Sequence, residues 1–270
     1  MTSVSIPDDL DSLAALLSSA GFVAAREEAS ELLACAGDDR ELLDSLVQRR
    51  LTGEPLAWIV GSTSFCGIQI RVDIGVFVPR WQSEPLARRA VERLPADGTA
   101  IDLCTGTGAI ARVLMLGRPG ATVVASDLDQ RAVGCATANG VDAYLGDLFA
   151  PLPRSLEGCV DVIVGAVPYV PTSELPLLQR DTFTFESRRS YHGGRDGTDI
   201  LRRILRDAPR YLRDGGALLL ELGGDQAEAL GDDLARLGYG EVGVLRDEAG
   251  DVRGIEATLG RAAASSPSLG

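Results

Sequence analysis

The chain has 270 residues, 45% of them hydrophobic and 24% charged, enough apolar material for a sizeable core and too much for wholesale disorder. Its 26 basic residues against 39 acidic ones leave a net charge of −13, which argues against a role resting on nonspecific or stable nucleic-acid binding. Five scattered cysteines without a C-x-x-C spacing and a single histidine, His192, offer little to a disulfide framework, a zinc site or a histidine-dependent triad.

Residues 7 to about 52 read as helices. Asp8 or Asp9 can cap the first, Leu10, Leu13, Leu16 and Leu17 recur at helical spacing, and Gly21 and Gly37 stop successive elements before Asp38-Asp39-Arg40-Glu41 starts a third. Each apolar stripe is too narrow to stand alone, so a small helical bundle over 1–55 is expected. From Trp58 to Val78 the period changes to alternation, which predicts a hairpin linker over 56–80, followed by a helix from about Ser83 to Leu94. After Gly98 short β-prone runs at 99–103, 121–126, 142–145, 160–165, 217–222, 240–245 and 254–259 alternate with amphipathic segments such as 199–212 and 226–237. That rhythm predicts an α/β domain over 81–261 with a parallel sheet covered on both faces. The gap 246–253 is too short for a crossover helix, so the final strand should run antiparallel. Residues 262–270 have the composition of a mobile tail. The start is not a signal peptide and no apolar run reaches the ~18 residues of a membrane span, so a cytoplasmic protein without a membrane partner is expected.

The sharpest local signal is Asp102-Leu103-Cys104-Thr105-Gly106-Thr107-Gly108-Ala109: a strand ends, the chain turns on two glycines, and a helix begins. Such a turn lets backbone approach a ligand and presents free N–H groups. Asp127, with Leu128 beside it, ends the second strand, where a carboxylate can take both hydroxyls of a ribose. Alone, this pattern also fits a nicotinamide dinucleotide or a purely structural glycine turn. Three features favour S-adenosylmethionine. Asp102 would repel a pyrophosphate but can orient an ammonium; Asp147 and Leu148 follow the third strand, where an acid can accept from an adenine amino group and an apolar neighbour can pack on the base; and the last strand is antiparallel.

With these residues in order, the chain resembles a class I methyltransferase, and more narrowly the HemK family of protein-(glutamine side-chain amide) N-methyltransferases that act on peptide-chain release factors. Residues 53–61 with Phe65-Cys66-Gly67 are similar to the family's linker, and Val76-Phe77-Val78-Pro79-Arg80 with Glu84 resembles its Leu-Ile-Pro-Arg segment. Residues 102–111 resemble its cofactor loop, with Cys104 where glycine is common, and 193–199 and 221–226 resemble its later signatures. The resemblance implies a Rossmann-like sheet, parallel with one antiparallel strand, behind a small N-terminal helical domain that helps recognise the acceptor. It places the cofactor on Asp102, Cys104, Thr105, Gly106, Thr107, Gly108, Asp127, Leu128, Asp147, Leu148 and Ala166, and catalysis around Ala166, Val167, Pro168 and Tyr169.

One motif departs. Where the family has Asn-Pro-Pro-Tyr, this chain has Ala166-Val167-Pro168-Tyr169. In the family the Asn side-chain oxygen and the next backbone carbonyl hold the acceptor –NH₂; Val167 keeps a carbonyl, but Ala166 accepts nothing. Losing one pre-organised polar partner costs on the order of 10²–10³ in rate in comparable sites. The expectation is therefore a methyltransferase working on a reassigned nitrogen acceptor, such as a small-molecule guanidine or amine, with Glu186 as a catalytic acid or base. Glu174, Asp181 and Glu221 are further candidate acids, and Arg188, Arg189 and Arg195 candidate binders of a substrate carboxylate. The alternatives are release-factor glutamine methylation and a non-catalytic cofactor-binding module. His192 reads as a loop residue.

Overall fold

A computed structural model of the chain describes residues 6–178 and 182–260. Asp181 and the 262–270 tail lie outside the described residues. Three helices open the chain, α1 (Leu10–Ser19), α2 (Ala25–Ala36) and α3 (Arg40–Leu51). Asp9 and Asp39 cap α1 and α3, each accepting from a backbone N–H three residues on at 2.9 Å. Leu13, Leu17, Leu32, Leu43, Leu46 and Val47 bury together as one small core.

A short helix, α4 (Leu56–Val60), follows where alternation predicts only extended chain. Pro55 starts it and Gly61, at φ +81°, ends it. Trp58 pins it by donating its indole N–H to the Val76 carbonyl at 2.8 Å. The hairpin itself is β1 (Ser62–Phe65) with β2 (Ile68–Arg71), and α5 (Glu84–Arg93) comes next.

The remaining elements alternate as expected: β3 (Thr99–Leu103), α6 (Ala109–Gly117), β4 (Thr122–Asp127), α7 (Gln130–Ala138), β5 (Asp142–Leu145), β6 (Val160–Gly165), α8 (Thr182–Phe185), α9 (Asp199–Asp207), β7 (Leu212–Glu221), α10 (Gln226–Ala229), α11 (Gly231–Arg236), β8 (Tyr239–Arg246) and β9 (Val252–Leu259). The seven strands β3–β9 form one sheet in the order β5-β4-β3-β6-β7-β9-β8. Only β9 runs opposite to the other six strands, wedged between β7 and β8. One face packs on α5, α6 and the hairpin through Leu86, Leu114, Phe65 and Ile70, and the other on α9 and α11 through Leu201, Ile204 and Leu234. Among the described residues no helix is long and apolar enough to cross a membrane.

Three boundaries differ from the sequence expectation. β7 begins at Leu212 rather than 217, because a bulge carries the polar Arg213-Asp214-Gly215-Gly216 inside the strand. The predicted helix 226–237 breaks at Leu230 into α10 and α11. Pro209 cuts the predicted 199–212 helix short, tightening Ala208–Arg210 into a 3-10 turn.

Candidate active site

Strand order reverses between β3 and β6, so the loops leaving their carboxyl ends diverge and leave a crevice. A cavity of about 650 Å³ occupies it. Asp102, Cys104, Thr105, Gly106, Thr107, Asp127, Leu128, Asp147, Leu148, Ala166, Val167, Pro168 and Tyr169 all line this cavity. Gly108 and Glu186, also expected there, do not.

At the β3–β5 end the glycine turn is built from strained and hydrogen-bonded backbone. Cys104 sits at φ +56°, the left-handed region that explains why glycine suits this position. Thr105 donates its hydroxyl to Asp102 Oδ2 at 2.6 Å, and the Ala111 N–H donates to the same oxygen at 3.2 Å. Asp102 Oδ1 is buried without any partner, an orphaned acceptor at the cavity wall. Burial pushes this carboxyl up to about 7. Asp127 accepts from the N–H groups of Gly106 and Asp129, both at 2.9 Å, which ties the end of β4 to the turn. A Cβ on Gly106 (φ +57°) would meet nothing within 4 Å, whereas one on Gly108 (φ +79°) would come within 2.9 Å of Val141 and 3.1 Å of Ala136. Gly106 therefore serves the open turn, and Gly108 the packing of α6 against α7. Asp147 is half exposed and pairs with Arg203 of α9 at 2.6 Å.

At the β6–β7 end the Ala166–Tyr169 segment is braced from three directions. Gln226 donates its amide to the carbonyls of Tyr169 at 2.7 Å and Asp196 at 3.2 Å, while its oxygen accepts from the Gly223 N–H. Gly193 and Gly197 lie so close to Tyr169 that a Cβ on either would collide with its backbone. The 193–199 and 221–226 signatures thus act together, holding one loop. Glu221, at the end of β7, is buried and lines the cavity; it accepts from the Ser83 hydroxyl at 2.5 Å. Burial and the nearby Glu221 carboxylate push the Tyr169 phenol upward, so it is no base at neutral pH.

Glu186 does other work than expected. It is buried outside the cavity lining, and its oxygens accept from the Val78 N–H at 3.1 Å, from Arg80 at 2.5 Å and from the Tyr191 hydroxyl. It fastens the Val76–Arg80 segment and has no oxygen in the cavity wall. Glu174 is exposed and His192 lies on an exposed loop, where it meets the Thr172 hydroxyl at 2.8 Å. Arg189 lines the cavity, while Arg188 and Arg195 do not. Ser83, Gln82 and Arg253 also line it and were missed from sequence, because the 3-10 turn before α5 and strand β9 bring them in from distant positions.

A seven-stranded sheet of this order, with a glycine turn after its first strand and acids at the ends of the next two, defines a class I methyltransferase. The fold is shared with the ribosomal protein L11 methylase of Lactobacillus delbrueckii subsp. bulgaricus, at TM-score 0.50 and 20% identity over 71% of this chain and 85% of that one. It is shared equally with a 16S rRNA N2 G1207 methyltransferase of T. thermophilus, at TM-score 0.50 and 24% identity over 77% of this chain and 47% of that one. No protein-family model matches the chain. By sequence, the chain is 35% identical over 236 residues to the release factor glutamine methyltransferase of Geobacter sulfurreducens, covering 85% of this chain and 79% of that protein. It is 37% identical to that of Neisseria gonorrhoeae, covering 78% and 79%. The chain belongs to the release factor glutamine methyltransferase family, and it is an S-adenosylmethionine-dependent methyltransferase.

Proposed function

We propose that this chain methylates the side-chain amide nitrogen of a glutamine in a peptide-chain release factor. The expectation of a reassigned small-molecule guanidine or amine rested on Ala166 alone. The relatives carry the release-factor name across most of the chain length, and this favours the peptide amide. The observation that carries the reading is one cavity in which the glycine turn and a rigidly braced Ala166–Tyr169 segment face the same space.

The donor set fits S-adenosylmethionine. The orphaned Asp102 Oδ1 offers the acceptor that an amino-acid ammonium needs, and the Asp127 carboxylate at the end of β4 suits a ribose diol. Leu128 and Leu148 offer apolar surface for the adenine, with Asp147 at its edge. When bound, this group supplies a methyl activated by its sulfonium. The chain's own contribution is orientation and exclusion of water. The Val167 carbonyl accepts one amide N–H, and Pro168 and Tyr169 wall the acceptor in. The N-terminal helices, joined to the cavity wall through Trp58 and Val76, supply the release-factor contact.

The test is transfer of a labelled methyl group from S-adenosylmethionine to a purified release factor carrying a Gly-Gly-Gln segment, beside a panel of free amines and guanidines. Label on the release factor and none on the panel is the expected result. Label on the panel alone would restore the small-molecule reading, and cofactor binding without label anywhere would leave a non-catalytic module.

A further inference from the structure

Resting on that reading, we infer that Glu221 supplies the side-chain acceptor which Ala166 lacks, so that the acceptor nitrogen is held between the Val167 carbonyl and the Glu221 carboxylate. Gly165 pairs with Leu220 as the last rung of the parallel β6–β7 ladder, so Ala166 and Glu221 are the residues that directly follow it on the two adjacent chains. They also share a face. Val164, Ala166 and Leu219 pack into the core beneath α5, whereas Ile163, Leu218 and Leu220 belong to the opposite one. Glu221 follows Leu219 by two and so points to the α5 side, where Ser83 meets it. A methyl group in place of a larger side chain at 166 opens the space between this carboxylate and the rest of the cavity.

The chemistry balances. The amide nitrogen must lose one proton for the methyl it gains, as the sulfur keeps the electron pair of the broken carbon–sulfur bond. That proton passes to the Glu221 carboxylate, which becomes a neutral acid and later releases it to water. Ser83 uses one acceptor position of the carboxylate and leaves others for the substrate N–H. The titratable and charged groups facing Glu221 are the Tyr169 phenol on the loop after β6 and Arg253 on β9. Burial raises its pKa, while Ser83, Tyr169 and Arg253 pull it back down. A carboxylate whose pKa is raised is a better proton acceptor than a free one, and it is inactive once protonated.

The experiment compares wild type, Glu221→Gln, Ala166→Asn and the double variant, with release factor as acceptor. Melting temperatures establish that each is folded. Glu221→Gln should lower kcat by about 10²–10³-fold and abolish the acidic limb of its pH profile. It should also weaken binding of a Gly-Gly-Gln peptide, measured by titration calorimetry without cofactor, by about tenfold. Ala166→Asn should restore activity to Glu221→Gln, so that the two substitutions are not additive in kcat. Ser83→Ala, which removes a hydrogen bond favouring the ionised form, should shift the acidic limb to higher pH. This second variant decides the matter if Glu221→Gln folds poorly. A kcat and pH profile unmoved by either substitution would overturn the role of Glu221 while leaving glutamine methylation standing. Failure of the wild type to label glutamine at all would overturn both.

Discussion

The two ends of the cavity are built by different means. At the β3–β5 end, contacts are local in sequence: Asp102, Thr105, Gly106 and Ala111 lie on one strand–turn–helix, and Asp127 is its nearest neighbour across the ladder. At the β6–β7 end, the contacts that join the loop to its surroundings span longer separations: Ser83 reaches Glu221, Gln226 reaches Tyr169, and Gly197 packs on the same loop. A locally built site tolerates little drift, because each residue's conformation fixes the next. A site assembled from distant segments can lose one member and draw on another, which is the part proposed for Glu221 beside Ala166.

The largest effect that tests this contrast is expected from Asp127→Ala. It removes the carboxylate proposed to take the ribose and frees the Gly106 N–H, so affinity for S-adenosylhomocysteine should fall by about 10²-fold or more in a calorimetric titration. A fall below tenfold would remove Asp127 from the cofactor set. At the other end, Gln226→Ala should leave that affinity unchanged and lower kcat by about 10–100-fold, since it releases Tyr169 from its brace.

A third check uses pH. Asp102 is raised by burial to about 7, so its ionised form, the one that pairs with an ammonium, is present above that value and lost below it. Cofactor affinity should therefore weaken by about tenfold per unit as pH falls below about 7. For the ligand-free protein the sign is opposite: a carboxyl raised above its unfolded value of 3.8 costs stability as pH rises from about 4 towards 7. Asp102→Asn should flatten both dependences. The smallest effect separates the two glycines. Gly108→Ala meets both a left-handed φ and a 2.9 Å clash and should cost about 2–3 kcal/mol, whereas Gly106→Ala meets only the φ and should cost about 1. Equal losses in thermal unfolding would deny Gly108 its packing role.

The same contrast explains what was legible in the sequence. The glycine turn, Asp127 and the strand runs at 99–103, 142–145 and 160–165 could be read directly, because short-range pattern determines them. The start of β7 was hidden by a polar bulge, and α4 by aromatic and apolar residues that suit strands equally well. Glu186 could be picked as an acid near the cleft, but its three donors come from Val78, Arg80 and Tyr191, and local spacing does not show that convergence. Ala166 was legible as a departure, but its adjacency to Glu221, on which the proposal rests, arises only across the β6–β7 ladder.

The most direct measurement of the central claim is tandem mass spectrometry of a release factor after incubation with the protein and S-adenosylmethionine. The expected result is a single added methyl group on the side-chain nitrogen of the glutamine in the Gly-Gly-Gln segment. An unmodified glutamine, together with methyl transfer to a guanidine or amine in the parallel panel, would contradict it.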